Sequence, residues 1–280
     1  MFSVISPGSE ADESEYQKQV VAAVGGIWHT VDVADLDAHD LERYISATHR
    51  IPVAWNNIAH FALCEKVQEA GVKVLFNGQG ADELFGGYLY FHKAPNAREF
   101  HEETVRKLSK LHMYDCFRAN KSLAAWGIEG RVPFLDKEFM DVAMRINPQD
   151  KMINGERMEK WVLRKAFEDM LPASVAWRQK EQFSDGVGYD WIDSLKELVD
   201  KEVSEEMFNN AKFTFPFQTP MSKEEYFYRS IFESHFPSET AAKTVPSVPS
   251  IACSTPIALE WDKSFKNIND PSGRSVSTVH

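Results

Sequence analysis

Val74-Leu75-Phe76-Asn77-Gly78-Gln79-Gly80-Ala81-Asp82-Glu83-Leu84-Phe85-Gly86-Gly87-Tyr88 is an apolar run that stops abruptly at a loop of glycine, amide and carboxylate. The apolar part reads as a short strand, and the residues after it as a polar loop delivered to a ligand. Gly78, Gly80, Gly86 and Gly87 allow close backbone approach, and Asp82 and Glu83 offer the oxygen ligands that a hard cation such as Mg²⁺ takes. The loop is therefore expected to serve a metal-bound polyphosphate. The same residues also fit a plain turn into a helix, with Asp82 as N-cap and Glu83 in the first turn.

Working outward, helical and strand periods alternate on the N-terminal side of this stretch. Phe2 to Ile5 is β-prone, Glu13 to Val24 has helical spacing and stops at Gly25-Gly26, and Trp28 to Val33 reads as a strand. Asp37 to His49 and Ile58 to Ala70 are helical, and Gly71 precedes the strand Lys73 to Phe76. Strands separated by helices imply a parallel sheet with crossover connections. In such a sheet the ligand lies beyond the carboxyl ends of the strands, where Asn77 to Glu83 begin.

On the C-terminal side almost everything is helical in period: Glu99 to Leu111, Tyr114 to Ala125, Lys137 to Ile146, Met158 to Leu171, Trp191 to Val203 and Lys223 to Phe232. The division expected is an α/β part over 1–90, a helical part over 91–235, and a Ser/Pro-rich, extended tail over 236–280.

Composition narrows the function classes. The chain has 280 residues, 43% hydrophobic and 26% charged, as in an ordinary soluble globular protein. No apolar run reaches the roughly 18 residues of a membrane span, and the N-terminus lacks a signal-peptide pattern. Cys64, Cys116 and Cys253 are widely spaced, which suits free thiols in a reducing cytoplasm. A net charge of −11 repels nucleic acid and anionic membranes, although it does not exclude a nucleotide held by local groups.

Two further segments carry polar chemistry: Arg131-Val132-Pro133-Phe134-Leu135-Asp136, and Trp177 to Gly186, which contains Lys180. Asp136 follows a proline turn and precedes Lys137-Glu138, so a helix N-cap competes with a substrate role. Lys180 is suited to neutralising phosphate charge, but a solvated surface lysine is the common alternative.

Taken together these segments closely resemble the synthetase domain of the glutamine-dependent, B-type asparagine synthetases. Gly78 to Tyr88 carries the resemblance, as do Asp115, Arg118 and Asn120 leading into Gly127 to Asp136. So do Lys160-Trp161-Val162-Leu163-Arg164, Trp177 to Gly186, and Pro249 to Thr255. The resemblance implies a parallel sheet of the adenine nucleotide alpha hydrolase type, here incomplete with its first strand missing, followed by a mainly helical lobe. It implies ATP and Mg²⁺, with aspartate and ammonia as substrates and β-aspartyl-AMP as intermediate. Position by position, Val4 would line the adenine pocket, the backbone at Asn77 and Gly78 would touch the nucleotide, and Asp82 would be a Mg²⁺ ligand. Asp136 would belong to the substrate site, and Lys180 would stabilise the phosphate undergoing attack and the leaving pyrophosphate.

Three departures from the family pattern stand out. No Ser-Gly-Gly-x-Asp-Ser pyrophosphate loop occurs in the sequence. The glutaminase half with its N-terminal cysteine is also absent, since the chain begins Met1-Phe2. Asn77 and the catalytic position Gln79 stand where well-known members carry serine and glutamate, and glutamine cannot serve as a carboxylate base. The chain is thus expected to be inactive alone. The alternatives are a non-catalytic remnant, or one half of a split enzyme that binds an upstream partner chain.

Overall fold

The first strands pair in parallel, as the alternating periods require. In a computed structural model, described over residues 1–9, 12–52, 56–180, 197–245 and 256–263, β1 (Phe2–Ile5) is followed by α1 (Ser14–Val24) and β2 (His29–Asp32). Val4 lies opposite Val31 in the β1–β2 register. Helix α1 ends where the glycine pair predicts: Gly25 adopts a left-handed φ of 67° and its N–H donates to Val21 O. Helix α2 (Ala38–Thr48) opens with a reciprocal cap in which Asp37 accepts from the His39 and Asp40 N–H groups while Asp40 accepts from Asp37 N.

Helix α3 (Asn56–Glu69) is buried on all sides from Asn56 to Cys64, with Ile58, Phe61 and Leu63 in the core, and shows polar residues to solvent only in its last turns. It is the pillar against which β1, β2, α2 and α6 (Asp115–Ala125) all pack. Beyond it come β3 (Val74–Phe76), α4 (Ala81–Phe85), α5 (Ala97–Lys110) and β4 (Glu129–Arg131).

The alternation of strands and helices predicts one continuous sheet, and here the structure differs. Among the described residues there are two separate two-stranded parallel sheets, β1–β2 and β3–β4. They share a floor: Phe2 of β1 and Leu75 of β3 both pack on the cluster of Cys64, Val67, Leu123 and Ile128. Val74 and Phe76 nevertheless remain 43% and 74% exposed. Strand β4 has no counterpart in the sequence reading, since three exposed residues with a central glycine carry no strand pattern. Gly130 is needed there because a Cβ would stand 2.6 Å from Leu123 Cδ1 of α6.

The helical part continues with α7 (Lys137–Arg145), α8 (Pro148–Lys151), α9 (Trp161–Ala166) and α10 (Ala173–Ala176). The expected helix Met158 to Leu171 is cut down to α9. Its start is displaced because Lys160 takes a left-handed backbone (φ 57°) and sends its side chain into a half-buried ion pair with Asp82. Of the expected helix Trp191 to Val203 only residues 197–203 are described, and 197–202 are helical. Among the described residues Lys223–His235 forms the last long helix, and it packs on α2 around Leu41, Tyr44 and Ile45.

The tail also departs from expectation. Pro256–Trp261 is helical rather than extended, with Ala258 fully buried and the Trp261 ring 5.8 Å from Tyr90 and 6.0 Å from Phe91. Two things decide this: Ala258, Leu259 and Glu260 are good helix formers behind a proline that starts the helix, and Trp261 buries its ring against two others. Phe236 and Val245 likewise pack on the α2 core. The match at Pro249 to Thr255 and the segment after Lys180 lie outside the described residues, as does Cys253.

Candidate active site

The loop after β3 is built by backbone constraints. Asn77 N–H donates to Arg131 O at 2.8 Å, extending the β3–β4 ladder by one step, and Asn77 Oδ1 accepts from Gln79 N at 3.1 Å. Gly80 has φ 97°, and a Cβ there would stand 2.4 Å from Leu135 Cδ2, so the loop is pressed against the turn before Asp136. Gly80 rather than Asp82 occupies the N-cap position of α4, which corrects the capping reading. The four glycines also divide. Gly78 is exposed with open space where a Cβ would go, whereas Gly86 is closed by Phe100 and Gly87 by Asp82. Gly86 and Gly87 therefore serve packing, and only Gly78 leaves open room beside the backbone for a ligand.

Asp82 is the centre of the site. Lys160 Nζ lies 3.0 Å from Oδ1 and Lys180 Nζ 3.7 Å from Oδ2. Burial pushes the Asp82 carboxyl up, but the two lysines outweigh it and hold the group below the ordinary aspartate value. Lys160 moves the other way, lowered by burial in spite of its attraction to Asp82.

Next to Asp82 a second polar chain runs inward. Glu83 is buried and accepts from Tyr88 Oη, which also lies 3.3 Å from Asp115 Oδ2. Asp115 in turn pairs with Arg118 Nη2 at 2.8 Å. Burial raises the Glu83 carboxyl above its usual range, the Tyr88 hydrogen bond opposes this, and the nearby Asp115 and Asp82 charges add to the rise. The Tyr88 ring lies under Lys107 Nζ at 4.6 Å and Lys180 Nζ at 5.9 Å, both within cation–π reach.

A third cluster holds the segment that carries Lys180. Glu159, 1% exposed, accepts from Lys180 N at 2.9 Å and Arg164 Nη2 at 2.8 Å, and its other oxygen lies 3.2 Å from His92 Nε2. Burial raises its carboxyl, but His92, the backbone N–H groups and Arg164 together bring it below the ordinary glutamate value.

The remaining expected residues are scattered. Val4 is in the core with Val33, Ala59 and Leu63, and its carbonyl accepts from Gln17 Nε2 at 3.0 Å. Asp136 is exposed and caps α7, accepting from Glu138 N at 3.0 Å and Phe139 N at 3.1 Å. The structure thus brings Asp82 and Lys180 together, gives Asp136 the capping role, and sets Asn77 to Gln79 at the mouth of the same loop. Sequence reasoning assigns no role to Lys160, Glu159, Arg164 or Tyr88. The run Lys160 to Arg164 stands out as a motif, but its helical spacing hides that its first residue turns inward.

The asparagine synthase family model matches residues 1–101 and 94–261. The chain belongs to the asparagine synthase family. Over 282 aligned residues it is 53% identical to asparagine synthetase B (glutamine-hydrolyzing) of Escherichia coli (strain K12), covering 100% of this chain and 50% of the relative. It is 54% identical over 251 residues to asparagine synthetase (glutamine-hydrolyzing) 3 of Arabidopsis thaliana, covering 88% of this chain and 43% of that one. The asparagine synthetase of Asparagus officinalis is 58% identical over 226 residues, covering 79% and 38% respectively. The chain spans half or less of the length of these relatives. Among the described residues no helix is long and apolar enough to cross a membrane.

Proposed function

We propose that this chain carries the amide-forming part of an asparagine synthetase, on a sheet of the adenine nucleotide alpha hydrolase type, acting in the cytoplasm. In this reading the side-chain carboxylate of aspartate attacks the α-phosphate of ATP, giving β-aspartyl-AMP and pyrophosphate. Ammonia then attacks the acyl carbon, loses a proton, and releases AMP with asparagine. The observation that carries the reading is the convergence of Lys160 and Lys180 on Asp82 at the carboxyl end of β3.

Each residue then has a task. Lys180 neutralises charge that grows on the phosphates during attack and departure, the usual source of rate in phosphoryl and nucleotidyl chemistry. Val4 has its side chain packed in the core, so a contact with adenine falls to its backbone, and Gly78 offers backbone to the nucleotide. Asn77 N–H is committed to Arg131, so a contact at Asn77 falls to its carbonyl. Gln79 has no carboxylate to act as base, and Asp136 reaches substrate only beyond its capping bonds.

Among the described residues no group of three His, Cys, Asp or Glu gathers to hold an ion by itself. A hard carboxylate such as Asp82 fits magnesium all the same, because Mg²⁺ is held by one or two carboxylates together with substrate phosphates. When bound, the ion would supply electrostatic neutralisation of those phosphates. The test is pyrophosphate release from ATP, aspartate and ammonium with Mg²⁺: Lys180→Ala abolishes whatever release the wild type shows, and an unaffected variant overturns the assignment.

A second reading, that the chain works only with an additional segment, is favoured by the two separate two-stranded sheets and by exposed Phe76. Isolated pairs of parallel strands are weak, and a parallel sheet is normally covered. Comparing pyrophosphate release by the chain alone and after co-expression with the N-terminal half of a relative decides it. Equal rates refute the need for a further segment.

A further inference from the structure

The residues from Trp177 to Lys180 form neither helix nor strand, yet Lys180 must be held against Asp82. A lysine on irregular backbone carries both main-chain and side-chain freedom, and ordering it at each binding event costs entropy. Hydrogen bonds from two side chains buckle this stretch in place. Arg164 Nη1 donates to Ala176 O at 2.7 Å and Arg178 O at 2.8 Å, its Nε donates to Glu159 O at 2.7 Å, and Glu159 Oε1 closes the ring on Lys180 N at 2.9 Å.

We propose that Glu159 is a positioning residue for Lys180, pinning its main chain through the amide so that the ammonium is presented to the phosphates. This rests on the reading of Lys180 as a phosphate-facing group. Two features separate the buckle from ordinary packing. Glu159 takes the Lys180 N–H and the Arg164 guanidinium, while the Lys180 ammonium points to Asp82, so the buried carboxylate fixes the lysine without consuming its charge. The Glu159–Arg164 pair is internally neutral, so it leaves the field of Lys180 in the site undiminished. Glu159 is also the immediate neighbour of Lys160, whose left-handed backbone (φ 57°) turns one side chain toward the Lys180 amide and the next toward Asp82. Two consecutive residues thereby set both cations of the site.

The experiment is a double-mutant cycle read by calorimetric binding of magnesium pyrophosphate to the full chain. Glu159→Ala is expected to weaken binding about tenfold, as is Lys180→Ala, and the double variant is expected to bind no more weakly than Lys180→Ala, because Glu159 acts through Lys180. The near-isosteric Glu159→Gln, which keeps an acceptor for the amide, is expected to recover most of the affinity and stands in if the alanine variant fails to fold. Independent, multiplying losses, or unchanged affinity in both Glu159 variants, overturn the proposal while leaving the ligase reading in place. No binding by the wild type, or no effect of Lys180→Ala, removes the reading of Lys180 as a phosphate-facing group of this chain and this inference with it.

Discussion

Gly87 stands against Asp82 so closely that a Cβ at position 87 would lie 1.9 Å from Asp82 Oδ1 and 3.0 Å from its Cα. The carboxylate that gathers both lysines therefore owes its position to a missing methyl group. Gly87→Ala is expected to displace the Asp82 side chain and to lower stability by about 1–3 kcal/mol through overpacking. Urea unfolding measures the second effect. Pyrophosphate binding measures the first and should fall at least as far as in Asp82→Asn.

Asp136 tests capping against substrate contact. Asp136→Ala removes the acceptor for Glu138 N and Phe139 N and is expected to cost about 1 kcal/mol, whereas Asp136→Ser keeps a cap and restores most of it. If Asp136 also touches substrate, synthesis stays impaired in the serine variant despite its recovered stability. Thermal melting beside steady-state rates separates the two contributions.

His60 lies in α3 with no room for charge. Burial, with a smaller push from Arg118, lowers its pKa from the ordinary 6.5 to about 3. The unfolded chain therefore binds a proton between those values that the folded chain does not, so this residue withdraws stability as pH falls from about 6.5 to 3. A His60→Gln variant should show a flatter acid limb in urea melts at stepped pH. An unchanged slope would mean that the ring is protonated in the folded state.

Lys151 is buried on two carbonyls, donating to Leu84 O and Ala143 O at 3.1 Å each, and so ties α4 to α7. Burial lowers its pKa to about 8. Above that pH the folded state releases a proton that the unfolded state keeps until about its ordinary 10.5, so this group's contribution rises with pH across that window. The stability difference between wild type and Lys151→Met should move in favour of the wild type from about pH 8 to 10.

The β1–α1–β2 and α3–β3 alternation, the Gly25 stop and the placing of the Asn77 to Gly80 loop at a strand's end were determined by the sequence alone, because periodicity and backbone conformation are properties of neighbours along the chain. Strand β4 and the break at Lys160 are invisible to such local chemistry. Each exists because of a partner remote in sequence: Val74 to Phe76 for the one, Asp82 for the other. The glycine-rich loop shows the same limit, since only packing reveals that Gly86 and Gly87 make room for Phe100 and Asp82 while Gly78 stays open. Tertiary structure alone decided which charges meet, since an ion pair or a buckle is a statement about distance in space, which spacing along the chain does not carry.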